Sequence, residues 1–112
     1  MKILFRAQAT STPAEFRERM ARRVRLALGR HGPRIRTVSV RLVDVNGPRG
    51  GVDLRCRMVA TLRGSGQVFA EAAGADPFEA GDVALERLAR AAARALADRR
   101  SPRAPLARAW AW

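Results

Sequence analysis

The sequence predicts an α+β protein, a two-layer sandwich of order β-α-β-β-β-α in which two amphipathic helices cover one face of a four-stranded sheet. Three observations predict it. The segments Thr12-Pro13-Ala14-Glu15 and Asp76-Pro77-Phe78-Glu79 both have the form of a helix start, and apolar residues at helical spacing follow each. Between them, two stretches alternate apolar and polar residues with period two. The run Gly47-Pro48-Arg49-Gly50-Gly51 separates those stretches and reads as a turn or loop.

Taken in order, Ile3 to Ala9 is a short first strand, ended by the polar cluster Thr10-Ser11-Thr12. Thr12 then caps the first helix, Pro13 sits where no amide is needed, and Glu15 reaches back. Phe16, Met20, Val24, Ala27 and Leu28 make one apolar stripe, flanked and opposed by Arg19, Arg22, Arg23, Arg25 and Arg30. The helix is expected to stop between Gly29 and Gly32, before Pro33. From Ile35 to Val45, Val38, Val40 and Leu42 face one way, and Thr37, Ser39, Arg41 and Val43 the other. The third strand sets Val52, Leu54, Cys56, Met58, Ala60 and Leu62 against Asp53, Arg55, Arg57, Val59, Thr61 and Arg63, the pattern of a half-buried antiparallel strand. Gly64-Ser65-Gly66 turns the chain into a weaker fourth strand, Gln67 to Ala73. The second helix has Asp76 as N-cap, Pro77 at N1 and Glu79 at N3. It is expected to run to about Asp98, with Ala84, Leu85, Leu88, Ala92, Ala95 and Leu96 on its apolar side. Residues 1–100 therefore read as one domain, and residues 101–112, Pro- and Arg-containing and without periodicity, as a flexible tail.

A chain of 112 residues suits one core. Its 22 basic residues against 10 acidic ones leave a formal charge of +12, a self-repulsion that an anionic partner would relieve. Lys2 is the only lysine and alanine is abundant, so codon bias accounts for arginine over lysine. It does not account for basic over acidic residues, and nucleic acid is the expected partner, ahead of a membrane surface or an acidic protein. With Cys56 and His31 each alone of their kind, neither a disulfide framework nor a zinc ligand set exists. No metal or cofactor is expected, and Cys56 reads as packing. The Gly47–Gly51 run lacks Walker and Rossmann spacing. No nucleophile and base pair stands out, and Asp44 and Asp53, flanking that loop among arginines, read as ion-paired. The chain is therefore expected to be a binding module, with no small-molecule substrate, and not an enzyme. Ile3-Leu4-Phe5 is too short for a signal core, and no stretch approaches the roughly 18 apolar residues of a membrane span, so a cytoplasmic protein without membrane contact, monomeric in solution, is expected.

Arg87, Arg90 and Arg94 follow i, i+3, i+7 spacing, roughly 10 Å of helix at about 1.5 Å per residue. Planar guanidinium forks suit phosphate oxygens, so such a stripe can meet successive phosphates. Asp82 and Glu86 lie near the stripe but not among its arginines, and the stripe is expected to stand without i, i+4 neutralisation. Arg49 at the loop tip is a further anion contact, and Arg41, Arg55, Arg57 and Arg63 would occupy the sheet face away from the helices.

With these elements placed, the chain resembles the ribosome hibernation-promoting factor family, also called ribosome-associated translation inhibitors or sigma-54 modulation proteins. The resemblance covers about residues 1–100. It is carried by the segment from Asp44-Val45-Asn46-Gly47-Pro48-Arg49 through Gly50-Gly51-Val52-Asp53-Leu54-Arg55-Cys56, and by Asp76-Pro77-Phe78-Glu79-Ala80-Gly81-Asp82 with Glu86-Arg87-Leu88 and Arg90. It implies a fold laid out like a double-stranded RNA-binding domain that docks in the mRNA and tRNA channel of the small ribosomal subunit, against its rRNA, and silences the ribosome. The RNA-binding residues it implies are Arg22 and Arg23 on the first helix and Arg87, Arg90 and Arg94 on the second. Arg25, Arg49, Arg55 and Arg57 join them as candidates from charge and position.

Two departures are expected to matter. Leu54 replaces the branch's usual lysine, removing one RNA contact, and Gly81 replaces a large apolar residue, costing about 1 kcal/mol of helix propensity and some packing. Longer members carry a C-terminal domain that dimerises ribosomes, and this sequence ends short of one, so any pairing of ribosomes is expected to need another factor. Two other readings remain. One is a protein-interaction regulator, for example of a transcription factor, that uses its basic surface with Trp110 and Trp112 in the tail. The other is a generic double-stranded RNA binder.

Overall fold

The computed structural model describes residues 1–7, 13–44, 54–64 and 66–97. Its elements are β1 (Lys2–Ala7), α1 (Ala14–Leu28), a 3₁₀ helix (Gly29–Arg34), β2 (Ile35–Asp44), β3 (Leu54–Leu62), β4 (Gly66–Gly74) and α2 (Pro77–Ala97). This is the predicted α+β order. The four strands form one mixed sheet in the order β1-β2-β3-β4. β1 and β2 are parallel, which requires a crossover, and α1 supplies it. The remaining pairs are antiparallel, with Cys56 opposite Leu42 and Ala72, and Met58 opposite Val40 and Ala70.

Period two decides which side of the sheet is covered. Val38, Val40, Cys56, Met58, Ala60, Val68 and Ala70 are buried beneath the helices, while the residues between them reach the other surface. No polar or charged side chain is buried among the described residues. In α1 the buried set is Phe16, Met20, Val24 and Leu28, and Ala27, expected in the stripe, is exposed. Each step of four residues turns about 40° beyond a full helical turn. The contact line therefore winds around α1, and by Leu28 it has rotated away from Ala27.

The α1 terminus also differs from expectation. The α-helix ends at Leu28, but the chain tightens into a 3₁₀ helix that runs through Pro33. Gly29 has φ −58°, so it continues the right-handed path instead of reversing it. Thr12, the expected cap of α1, lies outside the described residues, as do residues 45–53, where the turn or loop was expected, and residues 98–112. The α2 start is as expected. Asp76 Oδ1 accepts the Glu79 amide at 2.9 Å, and Glu79 Oε1 accepts the amide of Ala75 at 2.9 Å, one residue before the cap. In the β3–β4 turn, Gly64 and Gly66 take φ of 72° and 85°, where a Cβ is strained.

Gly81 corrects an expectation. No packing is lost there, because α1 closes on it: a Cβ at Gly81 would lie 2.7 Å from Met20 Cε and 3.1 Å from Phe16 Cε1. The Phe16 ring meets Phe5 of β1 edge-on at 6.4 Å and Phe78 of α2 at 5.7 Å. Arg19 lies over the Phe78 ring at 4.5 Å. One aromatic side chain thus joins a strand and both helices.

Cys56 is fully buried, and burial pushes its thiol up to about 12. The folded protein holds that proton above the ordinary value of 9.0, so this contribution to stability is complete below pH 9 and is lost as pH rises through about 12. Iodoacetamide at pH 8 is expected to label Cys56 only after unfolding, as read by mass spectrometry with and without urea; rapid labelling of the native protein would contradict its burial. Gly81→Leu is expected to lower stability by about 1–3 kcal/mol through overpacking. Urea denaturation checks it, and an unchanged midpoint would mean that α1 does not close on α2 there.

Candidate nucleic-acid interface

Arg87, Arg90 and Arg94 are all exposed on α2, within a sector of about 60° at 3.6 residues per turn, opposite buried Leu88 and Ala92. Arg87 Nη1 donates to the carbonyl of Glu71 at 2.9 Å, so it hooks over the edge strand β4 and satisfies a backbone acceptor there. The stripe does have an i, i+4 partner, contrary to expectation. Arg90 Nη2 meets Glu86 Oε2 at 3.2 Å, the two side chains being 70% and 62% exposed. Glu86 lies one turn before Arg90 and on the same side of the helix, so the two side chains meet. An exposed pair of this kind contributes only about 0.3–0.5 kcal/mol, little against a phosphate.

On α1, Arg22, Arg23 and Arg25 are exposed. Arg23 Nη1 lies 3.3 Å from Asp82 Oδ1, which bridges the two helices. Beyond α1, Arg34 Nη2 donates to the Leu96 carbonyl at 3.1 Å and satisfies the last turn of α2. His31 is held below its ordinary value by burial and by the neighbouring charges of Arg30 and Arg34, so at neutral pH it adds no charge to this region.

The open face of the sheet is organised in rows across the strands. One row is Leu4, Ser39, Val59 and Phe69; the next is Arg6, Arg41, Arg57 and Glu71. Arg41 and Arg57 are direct cross-strand partners, and like charges so placed cost about 0.2–1 kcal/mol. Glu71 is the counter-charge. Its Oε2 accepts Arg55 Nη1 at 3.0 Å, and its Oε1 lies 3.7 Å from Arg57 Nε, with all three side chains part-exposed. Arg6 Nε donates to Ser39 Oγ at 3.3 Å. Arg63, expected on this face, belongs to the turn after β3, and Leu54 lies on the core-side register with Cys56 and Met58. Arg49, Asp53, Trp110 and Trp112 lie outside the described residues, and for Asp44 only the backbone is described.

The structure therefore separates the candidates into two basic surfaces. Arg22, Arg23, Arg25, Arg87, Arg90 and Arg94 belong to the helix layer, and Arg55 and Arg57 to the opposite sheet face. Sequence reasoning missed Arg6 and Phe69 on that face. The signal for Phe69 was present, since it alternates with Val68 and Ala70, whereas Arg6 joins the row only through the parallel β1–β2 pairing. Among the described residues no group of three or more His, Cys, Asp and Glu side chains could hold a metal ion, and no helix is long and apolar enough to cross a membrane.

No protein-family model matches the chain, and no curated protein shows significant similarity to it. The fold, in contrast, is shared with solved structures. A ribosomal subunit interface protein from Coxiella burnetii superposes with a TM-score of 0.70 at 15% identity, over 88% of this chain and 100% of that one. The Protein Y N-terminal domain of Thermus thermophilus gives a TM-score of 0.65 at 20% identity, over 84% of this chain and 98% of that one.

Glu71→Gln removes the counter-charge of the sheet face. It is expected to cost less than about 1 kcal/mol, because its ion pairs are part-exposed. It is also expected to raise the salt concentration at which the protein elutes from heparin; unchanged elution would show that the sheet face does not meet polyanions.

Proposed function

We propose that this protein is a ribosome hibernation or translation-inhibition factor that binds the small ribosomal subunit through rRNA in the mRNA and tRNA channel. The observation that carries the reading is the exposed Arg87, Arg90 and Arg94 stripe on a fold shared with a ribosomal subunit interface protein. Arg22, Arg23 and Arg25 extend the same helix layer. In this reading the arginines grip phosphates and the rigid sandwich supplies shape, with no reading of base sequence by the helices. The protein acts in the cytoplasm as a monomeric binding module, with no catalytic step and no cofactor.

Cosedimentation with purified small subunits tests the proposal. Arg87, Arg90 and Arg94 changed together to Glu are expected to abolish binding while the circular dichroism spectrum and melting temperature are kept. In wild type, the logarithm of affinity should fall steeply with the logarithm of salt, by roughly 0.7–0.9 per phosphate contact. A triple variant that cosediments normally would overturn the assignment of the stripe. Competition by duplex RNA would point to a generic double-stranded RNA binder. An interaction resistant to nuclease but lost on deleting residues 101–112 would point to a protein partner.

A further inference from the structure

We infer that the groove between α1 and α2 is the docking site of the chain's own segment 101–112, with the Trp110 indole seated on Leu26, Ala27 and Leu85 and Arg108 beside Glu86. The inference goes beyond the ribosome reading and does not depend on it. It departs from the expectation that this segment is a flexible tail.

Three observations carry it. The first is an apolar floor that the fold does not need. Arg23, Leu26, Ala27, Asp82, Leu85 and Glu86 line a groove of about 370 Å³. Leu26 is 84% exposed there and Ala27 beside it is exposed as well, although α1 already buries Phe16, Met20, Val24 and Leu28. A leucine alone on a surface is ordinary, but this one adjoins a second exposed apolar residue at a groove, where an aromatic ring gains contact on several sides.

The second observation is the charge of the lining, one arginine against two carboxylates. Asp82 is engaged with Arg23 at 3.3 Å. Glu86 is 62% exposed and uses Oε2 toward Arg90 at 3.2 Å, so its Oε1 has no partner among the described residues. The two carboxylates disfavour a phosphate backbone here, which sets the groove apart from the arginine surfaces. A second copy seated on Leu26 about a two-fold axis would bring Arg22, Arg23 and Arg25 against their own counterparts. An apolar segment with positive charge suits both floor and rim. Residues 98–112 carry Arg99, Arg100, Arg103 and Arg108 against Asp98 alone, together with Leu106 and both tryptophans of the protein, Trp110 and Trp112.

The third observation is reach. From Ala97, the last residue of α2, Glu86 lies about 17 Å back along the helix at about 1.5 Å per residue. The chain from Ala97 to Trp110 spans up to about 43 Å when extended, at about 3.3 Å per residue. It is therefore long enough to turn back over α2. A tethered segment acts at an effective concentration in about the millimolar range, so a shallow groove is enough to hold it. Arg108 stands two residues before Trp110, up to about 7 Å away, a step that takes it from the apolar floor to the Glu86 carboxylate at the rim.

The test is tryptophan fluorescence of the full chain carrying Trp112→Phe, which leaves Trp110 as the only tryptophan in a protein without tyrosine. Its emission is expected to lie to the blue of that of a peptide of residues 101–112 with the same substitution, and to be quenched less by acrylamide. Leu26→Asp is expected to abolish both differences at an unchanged melting temperature, because Leu26 is exposed and outside the core. Glu86→Gln and Arg108→Gln are each expected to raise quenching part of the way, and the double variant no further than either alone. The blue shift should persist on dilution. The inference is overturned if Trp110 emits like the peptide, or if Leu26→Asp leaves its emission in place, which would put the indole elsewhere. A shift that fades on dilution would give the groove to a neighbouring copy and overturn it too. Equal quenching in Glu86→Gln and its parent would overturn the contact with Arg108.

Discussion

The closure of α1 on α2 at Gly81 is the constraint from which the rest of the architecture follows. Without a side chain at Gly81, Met20 and Phe16 can occupy its place, and the Phe16 ring then reaches Phe5 on β1 and Phe78 on α2. That single junction holds the crossover helix and the C-terminal helix on the same face of the sheet. It brings Arg23 within ion-pair distance of Asp82, so the basic side of α1 is fixed relative to α2. It also consigns the other sheet face to the surface, since no element remains among the described residues to cover it.

Charge is managed by position. Among the described residues the core is aliphatic, with few rings, and carries no buried charged side chain, so none of their arginines incurs the desolvation cost of an interior charge. Several have structural tasks. Arg34 closes the last turn of α2, Arg87 covers the edge of β4, and Arg19 lies on Phe78. Others remain as a net excess on two surfaces that face opposite ways. The excess is costly only while no anion is present. A domain of this kind is well suited to a polyanion, and a two-layer sandwich presents its basic residues on two separate surfaces.

Edge strand β4 connects these surfaces. The Glu71 carbonyl accepts Arg87 from the helix layer, while the Glu71 carboxylate holds Arg55 and stands near Arg57 on the sheet face. One residue therefore restrains arginines on both sides. Its position is a consequence of register, with Arg57 opposite Glu71 and Val59 opposite Phe69.

Local chemistry made much of the fold legible in the sequence. The Asp76 cap, the period-two alternations of Ile35 to Val45 and of Val52 to Leu62, and the apolar stripe of Leu85, Leu88 and Ala92 each depend on neighbours in the chain, so they predicted α2, β2 and β3 and their buried faces. The arginine stripe of α2 was legible for the same reason, because i, i+3, i+7 spacing alone sets the sector it occupies. What was not legible depended on contacts between distant segments. Ala27 left the core because the contact line winds around α1, and Gly81 proved to be a point of close approach because two helices meet there. The row of Arg6, Arg41 and Arg57 exists only because β1 pairs in parallel with β2 and β2 antiparallel with β3. By itself the sequence determined the elements, their buried faces and the sign of the charge. The tertiary structure decided which arginines stand together, because pairing and crossover place side by side residues that the chain keeps far apart.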